Sequence, residues 1–222
     1  MFKDIKSKMG TGLVVVLLLL LLRLQAQGQP FSAEIMAFAK RDSLSFPKKG
    51  GILFVGSSSI GGWVDMEDRL QDYAIIRRGF GGSTYSDILR YLHEIVLPYR
   101  PSKLFLYAGE NDLVQGKAVG SIITTLAKIH EVVKKELPYT DLYIISAKPS
   151  IKLQSYQAEI SELNRRIQAF ALAQSSTVSY VDIYNAMLDP DGNLKPGLFI
   201  SDNLHLNATG YDIWEHVIRQ FL

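Results

Sequence analysis

Four short stretches of the sequence carry residue types that could do nucleophilic or acid–base chemistry. "SDNLHLNATGY" (201–211) sets Asp202 three residues before His205, one of four histidines in the chain. A histidine beside a carboxylate can take a proton from a hydroxyl, because the acid orients the ring and stabilises the charge it gains. Asp is also common in turns for local hydrogen bonding, so this pair alone decides nothing. "GSSSIGGW" (56–63) offers three serines at a turn after an apolar run. Such a turn exposes a hydroxyl and directs backbone N–H groups toward it, although helix capping is the bland alternative. "RRGFGGST" (77–84) supplies Gly82, where the backbone can approach a ligand closely. "YAGENDL" (107–113) supplies Asn111, whose amide can donate to a developing anion or close an Asx-turn. Phosphate-loop readings fail, because neither glycine-rich turn has the Lys-Ser/Thr of a P-loop or the spacing G-x-G-x-x-G.

Such residues act together only if one scaffold gathers them. From Phe31 onward, apolar runs rich in β-branched and aromatic residues alternate with segments of helical period, which predicts an α/β fold with a parallel sheet and crossover helices. Strands are expected at 51–56, 73–80, 102–109, 140–149 and 178–184. Ile122, Leu126, Ile129, Val133 and Leu137 share one helical face, as do Ile160, Leu163, Ile167 and Phe170. An opening helix with Ser32 as N-cap and a closing helix in "ATGYDIWEHVIRQFL" complete the pattern. Right-handed crossovers turn this order into an open, doubly wound sheet, which binds ligands outside the carboxyl ends of its strands. All four stretches follow expected strands.

Length and composition narrow the function class. A chain of 222 residues, 47% hydrophobic and 21% charged, is a globular protein with one domain as the default. It has no cysteine, which excludes disulfides, thiolate catalysis and Cys-based zinc sites. A net charge of +2, with no basic stripe interleaved with aromatics, argues against a nucleic-acid partner. Residues 1–28 stand apart: Lys3, Lys6 and Lys8 precede an apolar run from Leu13 to Leu22, shorter than the roughly 20 residues a bilayer span needs. The segment reads as a signal peptide cleaved before Gln29, with an uncleaved anchor as the alternative. A secreted or periplasmic protein with a domain over 29–222 is expected, without stable membrane insertion of that domain.

The ordered set "FVGSSSI", "GFGGST", "YAGEND" and "DNLHLN", spanning residues 54–207, resembles the SGNH or GDSL-type hydrolases. "GSSSI" followed by a tryptophan, with "DNLHLNATGY" later, is similar to a bacterial branch related to platelet-activating-factor acetylhydrolases. The resemblance implies a three-layer, flavodoxin-like α/β/α fold with a five-stranded parallel sheet. It also implies Ser58 as nucleophile, Asp202 and His205 as its partners, and Ser58, Gly82 and Asn111 as oxyanion donors. The family's usual Gly-Asp-Ser reads Gly56-Ser57-Ser58 here, so Ser57 and Ser59 flank the serine that the register selects. No metal or organic cofactor is implied, and the partner is a small-molecule or carbohydrate ester.

The expected activity is hydrolysis of short acyl esters, such as acetyl groups on carbohydrate or lipid, since short loops after the first three strands leave no lid for a long chain. A carbohydrate-binding module on the same fold and an acyltransferase using the same residues are the alternatives. Oligomeric state is left open. His93, His130 and His216 fall in helical segments and read as packing or surface residues. "DPDGN" (189–193) lacks the later ligands of a calcium loop and reads as a turn. Glu110 reads as a solvated loop acid, Asn207 as a structural loop residue despite its glycosylation sequon, and Trp63 as either pocket lining or core.

Overall fold

A computed structural model describes residues 29–174 and 176–222. The expected signal peptide, residues 1–28, lies outside the described residues. The chain divides into two units, residues 1–34 and 35–222. In the first, the Ser32 N–H donates to the Gln29 carbonyl at 3.0 Å and Phe31 has φ +66°. Ser32 is therefore the first helical residue of Ser32–Leu44, not the N-cap expected, because the chain begins to turn before it.

The second unit carries the sheet: β1 (Ile52–Gly56), β2 (Ile75–Gly79), β3 (Lys103–Tyr107), β4 (Asp141–Ile145) and β5 (Val178–Val181). All four pairings are parallel, in the order β2-β1-β3-β4-β5, the flavodoxin-like arrangement the sequence leads one to expect. Every residue of β1 is buried, as a central parallel strand covered on both faces requires. Phe54, Phe105 and Tyr143 occupy one row across β1, β3 and β4, with ring centroids 4.5 and 4.6 Å apart. Stacked pairs of this kind add about 0.5–1.5 kcal/mol each beyond the area they bury. That row belongs to a core with Ile60, Trp63, Trp214 and Ile218, so the Ala208–Ile218 helix covers this face. Leu53, Val55, Leu104 and Leu106 alternate with it and are fully buried on the other face. The helices Val119–Glu136 and Gln157–Ala173 bury the stripes that their spacing predicts, Ile122, Leu126, Ile129 and Val133 on one and Ile160, Leu163 and Ile167 on the other.

Strands β2 to β5 all end before their expected bounds, and the two largest shortfalls, at β4 and β5, share one reason. β4 stops at Ile145 because side chains take over the bonds of the ladder. The Asn164 side chain accepts from the Ala147 N–H at 2.8 Å and donates to its carbonyl at 2.9 Å. Ser146 Oγ accepts the N–H groups of Ile183 and Tyr184 at 3.0 Å each, just where β5 has given way to the short helix Ile183–Ala186. Every buried backbone group needs a partner, and a side chain serves as well as a strand. Residues 146–149 thus form a buried, ordered loop at the carboxyl edge.

Strand β1 lies between β2 and β3, so the chain winds to one side of it and then crosses to the other. That reversal leaves a crevice at the carboxyl ends of β1 and β3. The serine turn and the Asn111 loop flank it.

Candidate active site

The turn after β1 is held from both sides. Ser57 donates its N–H to the Tyr107 carbonyl of β3 at 3.1 Å, and the Phe80 N–H beyond β2 donates to the Gly56 carbonyl at 3.0 Å. The helix Ser58–Gly61 then packs on the end of β2, where a Cβ at Gly79 would lie 2.1 Å from the Gly61 nitrogen; only glycine permits that approach. Ser57 and Ser59 are buried, whereas Ser58 is half-buried. Ser57 and Ser58 both line the crevice, but of the three serines it is Ser58 whose Oγ meets the histidine, 3.0 Å from His205 Nε2.

His205 and its acid come from one loop. Asn203 adopts φ +58°, a left-handed conformation that Asn tolerates better than most residues, and this folds the loop around Asp202. Asp202 Oδ1 accepts the N–H groups of Leu204 and His205 at 2.9 Å each, while Oδ2 lies 2.5 Å from His205 Nδ1. The His205 ring contact, followed by these two backbone N–H groups, holds the Asp202 carboxyl well below the usual carboxylate range. The acid is ionised at neutral pH, so Nδ1 carries the hydrogen and Nε2 is left to accept from the Ser58 hydroxyl. The loop is pinned on the left-handed residue, whose carbonyl accepts from the Lys152 N–H at 3.1 Å.

Of the three anticipated donors, Ser58 and Asn111 line one cavity, and Gly82 lies in the loop after β2 that Asn111 binds through the neighbouring Ser83. Neither the Ser58 nor the Gly82 N–H donates to another group among the described residues. Gly82 has φ +79° and open space where a side chain would begin. Asn111 Nδ2 donates one hydrogen to the Ser83 carbonyl at 3.0 Å, which ties the loop after β3 to the loop after β2 and leaves its second hydrogen free. Asp112 adds a second tie, accepting from the Tyr85 N–H at 3.1 Å and from Lys117 Nζ at 2.9 Å.

A cavity of about 230 Å³ opens beside Ser58, lined also by Ser57, Asn111, Val114, Leu153, Leu204 and three charged residues, Glu110, Lys148 and Lys152. Glu110 is no solvated loop acid: it is 5% exposed. Its Oε1 accepts from Lys148 Nζ at 2.9 Å and from the Tyr107 hydroxyl. Burial pushes the Tyr107 phenol well above its ordinary range, so Tyr107 is a neutral donor. Nothing in its immediate sequence marks Lys148 as a site residue. Its one signal is a lysine inside "SAKPS", directly after the apolar run of β4, in a loop that Asn164 clamps at Ala147.

The remaining residues resolve simply. Trp63 is core, fully buried and stacked on Tyr211 with centroids 5.0 Å apart. His130 meets Phe170 edge-on, and His93 and His216 lie on helices. Asp189 Oδ1 accepts the N–H groups of Asp191 and Asn193, the local turn expected. Asn207 caps the Ala208–Ile218 helix by accepting from the Gly210 N–H at 3.0 Å, and its amide donates to the Gly197 and Phe199 carbonyls. Among the described residues no helix is long and apolar enough to cross a membrane.

The family model of the GDSL-like Lipase/Acylhydrolase family matches residues 51–213. Solved structures with this fold include a Streptococcus pneumonia protein provisionally described as a platelet activating factor (24% identity, TM-score 0.75, covering 94% of this chain and 98% of that one). A GDSL-like lipase from Bacteroides thetaiotaomicron is similar at 24% identity and TM-score 0.72, covering 84% and 95%. An acetylxylan esterase from Geobacillus stearothermophilus, solved as a catalytic mutant, is similar at 15% and 0.63, covering 78% and 94%. At these identities the likeness is one of fold. No curated protein matches the chain.

Proposed function

The chain belongs to the GDSL-like lipase/acylhydrolase family, whose members are carboxylic ester hydrolases, and from that premise we propose that it hydrolyses short acyl esters through Ser58, His205 and Asp202. The observation that carries this reading is the relay of contacts from Ser58 Oγ to His205 Nε2 (3.0 Å) and from Nδ1 to Asp202 Oδ2 (2.5 Å).

A serine hydroxyl is a weak nucleophile until a base removes its proton. His205 Nε2 takes that proton as Oγ attacks the ester carbonyl, and the ionised Asp202 stabilises the imidazolium that results. The carbonyl oxygen gains charge as the centre becomes tetrahedral. The N–H groups of Ser58 and Gly82 and the free hydrogen of Asn111 receive it, each donor contributing roughly 10²–10³ in rate. The imidazolium then protonates the leaving alcohol. Water, deprotonated by His205, attacks the acyl-serine, releases the acid and restores the hydroxyl.

The cavity volume of about 230 Å³ suits acetyl and other short acyl groups, and its three charged side chains would disfavour an alkyl chain. Carbohydrate or small polyol esters therefore fit better than long-chain lipids. The lysines and short apolar run of residues 1–28 support export to the periplasm or beyond.

The test is turnover of p-nitrophenyl acetate together with labelling by a fluorophosphonate. Turnover and an adduct on Ser58, both lost in Ser58→Ala, are the expected results. A folded protein that neither turns over the ester nor labels would make it a binding module instead.

A further inference from the structure

Two buried charges beside the nucleophile have no part in the chemistry just described. Glu110 and Lys148 are 5% and 3% exposed, and both line the cavity that Ser58 and Asn111 share. Their hydrogen bonding is incomplete. Glu110 Oε1 accepts from Lys148 Nζ and the Tyr107 hydroxyl, but Oε2 has no partner among the described residues. Lys148 Nζ has three hydrogens. One goes to Glu110, and the Tyr107 oxygen at 3.4 Å takes at most a weak second.

A buried ion pair is a poor device for stability, because desolvating both charges offsets their attraction. An unmet carboxylate oxygen makes this pair costlier still. Both side chains line a substrate-sized cavity, with Glu110 Oε2 unmet and closed off from solvent as the side chain stands, and with a hydrogen of Lys148 that has no strong partner. The chemistry of these two groups narrows what can meet them. An alkyl group would leave both unmet, a carboxylate or phosphate would meet the charge of Glu110, and an ammonium would meet that of Lys148. A neutral hydroxyl donates to the carboxylate and accepts from the ammonium without adding charge.

We propose that Glu110 and Lys148 bind a free hydroxyl of the ester substrate, and so set the specificity of the site for acyl esters of polyols and sugars that keep unesterified hydroxyl groups. The proposal rests on the reading of Ser58 as nucleophile. Glu110 directly precedes Asn111 in the sequence, and the two share the cavity with Ser58, so the hydroxyl it holds and the reacting ester belong to one molecule.

Glycerol monoacetate and propyl acetate present the same acetyl group on the same three-carbon chain, with and without hydroxyls. The wild-type full-length chain should prefer glycerol monoacetate by roughly tenfold or more in kcat/KM, the effect of one hydrogen bond to a charged group, with the difference lying mainly in KM. In Glu110→Gln, and in the double variant Glu110→Gln/Lys148→Met that removes both charges, the ratio should fall toward one. A wild-type ratio within about twofold of one overturns the proposal, whether or not either variant folds. A wild-type preference that survives in both folded variants overturns it too. p-Nitrophenyl acetate separates the two levels: activity on it without discrimination between the alcohol esters refutes the hydroxyl site alone, whereas inertness toward it refutes the esterase reading.

Discussion

Replacing Asp202 by asparagine changes one atom and, with it, the tautomer of the base. Asp202 Oδ1 accepts two backbone N–H groups, from Leu204 and His205, at 2.9 Å each. Those donors require an oxygen at that position, so in Asp202→Asn the amide carbonyl stays there and the NH₂ takes the place of Oδ2, facing His205 Nδ1. Two donors cannot face each other, so Nδ1 must become the acceptor and the ring hydrogen moves to Nε2. From there, 3.0 Å from Ser58 Oγ, the imidazole donates to the serine and cannot deprotonate it. In a serine–histidine–aspartate relay this wrong tautomer costs roughly 10⁴ in kcat. The same two backbone contacts keep the loop folded, so thermal unfolding should move little. The assay is kcat for p-nitrophenyl acetate at neutral pH beside a melting curve. A folded Asp202→Asn protein within tenfold of wild type would refute the assigned roles of both loop residues.

Asn111→Ala should lower kcat by roughly 10²–10³, and unfolding should register a further loss of about 1 kcal/mol from its bond to Ser83. Because the Asp202 carboxyl is held well below the usual carboxylate range, it stays ionised as the medium is acidified and should take up no proton of its own on the acid limb. A plot of log(kcat/KM) against pH should therefore fall with unit slope, whereas a limiting slope of two would mean that the carboxylate titrates as well. Lys148→Met strands the buried Glu110 and should cost about 3–5 kcal/mol in denaturant unfolding, most of it recovered when Glu110→Gln is added; equal losses in the single and double variants would refute the pairing. Gly79→Ala forces a Cβ against the backbone of Gly61 and should destabilise by about 1–3 kcal/mol. It should also cut activity by displacing the serine turn, and an unchanged melting curve would refute that contact.

The sheet was legible because its signals are local, whereas Ser58, Asp202 and His205 stood out only through their shared place after the strands and the ordered resemblance of the four stretches. Buried parallel strands read as short apolar runs, and in a doubly wound sheet the residues just after them are the ones brought together. Glu110 and Lys148 were not legible, since each reads alone as a solvated surface charge. They lie 38 residues apart, and the loop that carries Lys148 is held by Asn164, a polar residue set within the apolar stripe of its helix, between Ile160 and Ile167, and 5% exposed. Strand ends failed for the same reason: whether a residue leaves a ladder depends on which side chain elsewhere offers a substitute. The cap at Ser32 failed because an N-cap and a first helical residue share one composition.

Carrying acid and base on the same three-residue step has a consequence for how this enzyme would be inactivated. Any breathing of the 201–207 segment carries both groups away in concert, leaving their mutual contact intact while the gap to the serine widens. Loss of activity under mild denaturation would then be an all-or-none departure of a preassembled unit from Ser58, reversible whenever that unit settles back.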